Sequence, residues 1–189
     1  MYELLFKYFN DRVGIDRKDF DNFSHHFKPL KVKRNEFLLQ LGKTCKHNYF
    51  VTAGCLRFFT TNQDGQEVTR YFAFEGSCGT ALTSFIEQTP SFEYIQSIQK
   101  SEVLAITRKD FYDLVDENKH VGSIYKDILE KAYITSQKRI YGLQGDSALD
   151  RLKWLMNYQP KILGKLSNRV IASYLGVTPY TLSRLKSEL

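Results

Sequence analysis

The strongest constraint on this chain is a change of hydrophobic rhythm at Arg108. From Leu30 to Ile106 apolar and polar residues alternate with a period near two. β-Branched and aromatic side chains are frequent there, and Gly and Asn-Asp turns interrupt the run. From Lys109 onward the apolar residues recur every three or four positions, the period of a helix face. Such a chain must build a β unit first and add helices to it. The clearest β piece is Cys55–Thr61, then Asn62-Gln-Asp-Gly65, then Gln66–Phe74, a hairpin whose Asp-Gly supplies positive φ. Tyr49–Thr52, Phe92–Ile98 and Val103–Ile106 read as further strands, spaced as in a small sandwich or barrel. Ahead of them, Leu4, Leu5, Tyr8 and Phe9, then Phe20, Phe23 and Phe27, predict two short amphipathic helices that Pro29 ends.

Past Arg108 a short helix is expected over Lys109–Asn118, and a longer one over about Val121–Leu143. In the longer helix Tyr125, Leu129, Ala132, Ser136, Ile140 and Leu143 form a stripe close to a coiled-coil seam, and the small Ala132 and Ser136 would let two copies approach closely. A second apolar face, Val121, Ile124 and Ile128, would serve packing on the chain's own β unit. The same packing could instead engage the first stripe, so the dimer interface is an expectation. Gly142-Leu-Gln-Gly145-Asp146 reads as a hinge, with Asp146 or Ser147 capping the next helix. The expected division is therefore 1–118, 119–145 and 146–189.

The last 23 residues, from Ser167, carry the most specific pattern. Asn168–Leu175 places Ile171 and Leu175 on one face, with small Ala172 where a second helix must come close. Gly176 supplies a left-handed turn residue, Thr178 an N-cap and Pro179 a first helical position, and Leu182 and Leu185 complete the apolar lock. That is the order of a helix-turn-helix, whose second helix lies in the major groove of double-stranded DNA. Tyr180, Ser183 and Arg184 are then expected to reach base edges, with Arg184 suited to a bidentate guanine contact. Arg169, Thr178 and Lys186 are expected at phosphates. The charge is placed accordingly: of a net +6, the stretch from Ser147 holds seven Lys or Arg against two acids.

Other chemistries find little support. Cys45, Cys55 and Cys78 are widely spaced and read as buried thiols, and the four histidines show no metal-ligand spacing. A Gly-rich phosphate loop, a GxSxG elbow and a clustered carboxylate pair are lacking, so neither an enzyme nor a cofactor is expected. The different class to weigh is a ligand-binding or protein-interaction module whose helix-turn-helix does not bind DNA. The N-terminal MYELLFKYFND lacks the order of a signal peptide, and no apolar stretch suits a bilayer, which predicts a cytoplasmic protein without membrane contact.

Tyr49-Phe-Val-Thr-Ala-Gly-Cys-Leu-Arg57, the hairpin at Gly65 and Ile171-Ala-Ser-Tyr-Leu-Gly-Val177 together resemble the Crp/Fnr family of bacterial regulators, over nearly the whole chain. Leu175-Gly-Val-Thr-Pro-x-Thr-Leu-Ser-Arg184 is similar to a Bacteroidetes-type subgroup. The resemblance implies an α+β protein. It would comprise an N-terminal β-barrel of the double-stranded β-helix or jelly-roll kind, cyclic-nucleotide-binding-like, then a long dimerisation helix and a C-terminal helical helix-turn-helix domain. It also implies a homodimer on a palindromic site, with RNA polymerase as a further partner and a small-molecule effector in the barrel.

Departures from the family pattern qualify that picture. Where family members that bind cyclic AMP have a glutamate for the ribose and an arginine for the phosphate, this chain has Gly76-Ser-Cys-Gly79-Thr80-Ala-Leu and Pro90-Ser-Phe-Glu93. From Tyr71 through Gln99 it holds no Lys or Arg. A buried phosphate without a cation is heavily penalised, so cyclic AMP is not the expected effector. Phe72, Phe74, Gly79, Thr80, Phe85 and Tyr94 mark the expected pocket, either lining it for a less charged ligand or filling it. The family's clustered iron-sulfur cysteines are also lacking. Finally, five residues follow Arg184, leaving no room for the family's C-terminal β-wing, so the backbone contacts made there are expected from elsewhere.

Overall fold

The computed structural model describes residues 1–160 and 162–189, which fold as two compact units. The first contains 1–60 and 71–128, the second 61–70 and 129–189. The boundary thus lies inside the long helix, and the hairpin tip groups with the C-terminal helices.

The first unit opens on α1 (Tyr2–Val13) and α2 (Arg17–Ser24), the latter capped by the Asp16 carboxylate accepting from the Asp19 N–H at 2.8 Å. Their apolar faces interlock through Phe9, Phe20 and Phe23, and Tyr8 meets Phe50 edge-to-face at 5.2 Å. Eight strands follow: β1 (Lys28–Val32), β2 (Phe37–Leu39), β3 (His47–Ala53), β4 (Cys55–Thr61), β5 (Glu67–Phe74), β6 (Cys78–Gly79), β7 (Tyr94–Ser97) and β8 (Ser101–Thr107). A short helix, α3 (Leu82–Glu87), interrupts them.

The strands form two four-stranded sheets in the orders β1-β8-β3-β6 and β2-β7-β4-β5. Every connection between successive strands except the β4–β5 hairpin changes sheet, which is jelly-roll topology. The expected barrel is corrected here to a β-sandwich. Closure would need β1 to pair with β2 and β5 with β6. With β2 three residues long and β6 two, neither ladder can continue round. Phe50, Leu56, Phe58, Ile95, Leu104 and Ile106 are fully buried in the core. Burial of both inner faces is the term that stabilises such a sandwich.

The β3-to-β4 crossing depends on Gly54, which sits at φ 94°. A Cβ there would lie 2.2 Å from Ser101 Oγ and 2.8 Å from Ser101 Cα. The same Ser101 hydroxyl accepts from the Cys55 N–H at 3.1 Å and from the Ser97 hydroxyl at 2.8 Å.

After β8 come α4 (Arg108–Glu117), capped by Thr107, and α5 (Lys119–Gly145), started by the Asn118 side chain accepting from the His120 N–H at 3.0 Å. The first ten residues of α5 bury Val121 and Ile124 in the first unit. The break expected over Gly142–Asp146 falls at its far end: α5 runs through Gly142 to Gly145, and Ser147 caps the next helix. Gly142 is buried instead, where a Cβ would come within 3.1 Å of Asp146 Oδ2, so its small size serves packing.

In the second unit, the remainder of α5 is followed by α6 (Ala148–Tyr158), α7 (Ile162–Lys165), α8 (Asn168–Leu175) and α9 (Pro179–Lys186). Leu152, Leu155, Ile162, Ile171, Ala172, Tyr174, Leu175 and Leu182 are buried on these helices. Lys161, one of the seven basic residues counted above, lies outside the described residues. No helix among the described residues is long and apolar enough to cross a membrane.

Gly54→Ala should lower stability by about 2–4 kcal/mol, the cost of a strained φ added to that of overpacking. Urea unfolding followed by circular dichroism reads the change.

Candidate nucleic-acid interface

α8 begins at Ser167, whose hydroxyl accepts from the Val170 N–H at 3.4 Å, and ends at Gly176 with φ 68°. The Val177 N–H then returns to Ala172 O at 3.1 Å, so the chain leaves α8 in a tight left-handed turn. Thr178 starts α9 by accepting from the Thr181 N–H at 3.0 Å, with Pro179 in the first turn. Leu182 is fully buried and anchors α9 on the unit's core.

Opposite Leu182, Tyr180, Ser183 and Arg184 share one face, at spacings of three and four, and all three are exposed, Tyr180 at 74%. The other three expected DNA residues are placed differently. The Thr178 hydroxyl is engaged in the cap and lies 2.9 Å from the Thr181 hydroxyl. Lys186 Nζ donates to Asn168 Oδ1 at 2.6 Å, tying the end of α9 to the start of α8. Arg169 is exposed at the second position of α8, 3.9 Å from Glu67 Oε2.

The six α5 residues also separate. Tyr125 is half-buried inside the first unit, edge-to-face on Phe111 at 5.2 Å, with its hydroxyl 3.4 Å from that of Tyr112. Burial raises its phenol to about 12. Leu129 is half-buried, whereas Ala132, Ser136, Ile140 and Leu143 are exposed. The sequence reading missed Tyr133, which is 65% exposed. With it the stripe becomes Leu129, Tyr133, Ser136, Ile140 and Leu143, a regular alternation of four and three.

The six expected pocket residues are engaged in the packing of the first unit. Phe72 and Phe85 are buried, and Phe85 packs edge-to-face on Phe111 at 5.8 Å. Phe74 is half-buried beside Phe72, and Tyr94 stacks on Phe59 at 5.0 Å. Thr80 donates to His47 O at 2.9 Å. A Cβ on Gly79 would sit 2.4 Å from the Phe58 ring. The first unit does hold an apolar cavity of about 30 Å³, beneath α1 and α5 near Tyr8, Phe50, Cys78 and Ile124; none of the six lines it.

Residues 29–118, from β1 to the end of α4, match the family model described as the cyclic nucleotide-binding domain. The matched stretch takes in the strands of the first unit and also the 61–70 tip that groups with the second. Solved structures are also similar to the chain, three of them over most of its length. FixK2 from Bradyrhizobium japonicum is 19% identical with a TM-score of 0.73, covering 86% of this chain and 84% of its own. A Crp/Fnr-family protein from Eubacterium rectale is 16% identical with a TM-score of 0.72, covering 96% and 87%. The catabolite activator protein of Thermus thermophilus is 18% identical with a TM-score of 0.62, covering 96% and 86%. No curated protein matches the chain in sequence.

Within the matched residues 29–118, a cation is buried outside the 71–99 stretch that lacks one. Arg57 on β4 is only 3% exposed, paired in register with Gln96 of β7, and its guanidinium carbon lies 4.2 Å from the Phe59 ring centre. Glu93, immediately before β7, is 5% exposed. The sequence reading quoted both within motifs but gave neither a role, because what buries Arg57 is strand pairing rather than local pattern.

Thr178→Ala should cost the C-terminal unit about 1 kcal/mol through loss of the cap. It should lower the thermal midpoint of that unit's helical signal, whether or not DNA is present.

Proposed function

We propose that this chain is a DNA-binding transcription regulator of the Crp/Fnr type, working in the cytoplasm as a homodimer on a palindromic site, and not an enzyme. The observation that carries this reading is the face of α9. Three exposed side chains able to meet base edges stand on a capped helix held from behind by buried Leu182. The local excess of positive charge supports it, since each phosphate neutralised releases counterions. The printed titles of two similar structures, a transcriptional regulator of the Crp/Fnr family and a catabolite activator protein, support it at the level of the fold.

Under this reading Tyr180, Ser183 and Arg184 contact bases. Arg169, Thr178 and Lys186 lie at the backbone, with Thr178 acting chiefly by holding α9 in shape. Leu129, Tyr133, Ser136, Ile140 and Leu143 meet their counterparts in a second copy, with Ala132 beside them. Residues 1–118 sense, 119–145 dimerise and 146–189 bind DNA. RNA polymerase is a further partner of the bound dimer. The effector is a small molecule other than cyclic AMP, because the cassette segment from Tyr71 to Gln99 supplies no cation for a phosphate.

Selection from a random duplex library should enrich an inverted repeat with half-sites about 34 Å apart. Arg184→Ala should cost roughly 1–3 kcal/mol of discrimination at one guanine per half-site. If the variant binds the selected site with unchanged preference while binding of a protein partner changes, the chain is an interaction module instead.

Ile140→Glu places a charge on the exposed stripe without touching the core, and should give a folded monomer by light scattering with weaker binding to the palindrome. Retention of the dimer would remove α5 as its seam.

Cyclic AMP should leave the thermal unfolding midpoint unchanged at concentrations up to 1,000 times a micromolar Kd, where a true ligand would add about 4 kcal/mol.

A further inference from the structure

Within the C-terminal unit the tip of the β4–β5 hairpin is fastened to α8 by an arginine from α5. The Arg139 guanidinium donates through Nη1 to Arg70 O, and through Nη2 to Thr69 O at 3.3 Å and Tyr174 O at 3.0 Å. Its central carbon lies 3.9 Å from the centre of the Tyr174 ring. Burial pulls the Arg139 pKa below the usual arginine value, and the Tyr174 phenol, itself raised to about 12, opposes this.

Two more contacts join the same elements. The hydroxyls of fully buried Thr69 and of Ser173 are 2.6 Å apart, and Glu67 faces Arg169. Arg169 and Ser173 are one turn apart on α8, so the tip grips a single face of that helix.

A largely desolvated guanidinium is stabilised only while its acceptors are in place. Two of the three carbonyls on Arg139 belong to the hairpin, and withdrawing the tip removes both together. The contact is therefore closed or open, with little between. Closed, it also holds Arg169, the exposed cation near the start of α8, against a carboxylate that competes with any phosphate for the same guanidinium.

We propose that residues 61–70 are a latch on α8, pinned by Arg139, and that the closed latch lowers affinity for DNA by keeping Arg169 on Glu67. The inference rests on the reading of α8 and α9 as the DNA-binding element. On either side the tip continues directly into β4 and β5. A ligand that shifts those strands in the first unit would thus act on the latch through the chain itself.

The test uses the full-length protein with Thr69→Cys and Ser173→Cys together, at the hydroxyl contact, and a fluorescent random-sequence duplex as the probe. Disulfide formation, read by mass, reports whether the tip meets α8. The oxidised form should bind duplex about three- to fivefold more weakly than the same protein reduced, the range of one exposed ion pair. Wild type should show no change with reductant. Independently, Glu67→Gln should bind more tightly, and should steepen the slope of log affinity against log salt by about one, for one phosphate gained.

Failure of the disulfide to form under oxidant overturns the latch, as does equal affinity in the two redox states with an unchanged salt slope in Glu67→Gln. If the disulfide forms but neither redox state nor wild type binds any duplex, the DNA-binding reading has failed and the latch falls with it.

Discussion

The first unit depends on the way its strands alternate between two sheets. Each crossing adds a strand to the opposite sheet, so the two inner faces bury one another and neither persists alone. Gly54 makes the tightest of these crossings possible, because only a residue without a Cβ can pass Ser101 at that φ. The buried serine hydroxyls at 97 and 101 then satisfy one another and the departing backbone, as a polar group inside an apolar sandwich requires. The aromatic cluster of α1 and α2 extends this core through Tyr8 against Phe50.

The second unit is organised on a different principle. Its helices are short: α8 and α9 have eight residues each, and their ends are held by side chains. Ser147, Ser167 and Thr178 each cap the helix that follows them, and Lys186 closes on Asn168. Order there comes from local hydrogen bonding around a small apolar centre, as short helices require.

Features written locally in the sequence were legible in it. The hairpin turn at Gly65, the left-handed Gly176 and the Thr178-Pro179 start of α9 rest on residue types that few other conformations accommodate, and the structure has each of them. Features decided by distant pairing were not. The opening of the expected barrel into a sandwich follows from the lengths of β2 and β6, which no local rhythm announces. Gly142 read as a break because glycine weakens helices, yet the crowding around Asp146 and Arg151 favours a helix without a side chain there.

The candidate site divides along the same line. Tyr180, Ser183 and Arg184 follow from helix period alone and share a face. Tyr125 belonged to the dimer stripe by spacing, but the aromatic pair Phe111 and Tyr112 on α4 draws it into the first unit. Glycine at 79 marked a pocket in the sequence, whereas the Phe58 ring occupies the space that it leaves. Arg57 stood at the end of a quoted motif, but nothing in the local pattern marked its burial.

An eight-residue helix such as α9 is too short to persist in water unaided. Its outward surface is on loan from the apolar centre beneath Leu182, and the two must be lost in one step. Warming would therefore leave the presented side chains in place almost to the melting of the C-terminal unit and then abolish them at once, giving recognition a threshold in temperature instead of a gradient.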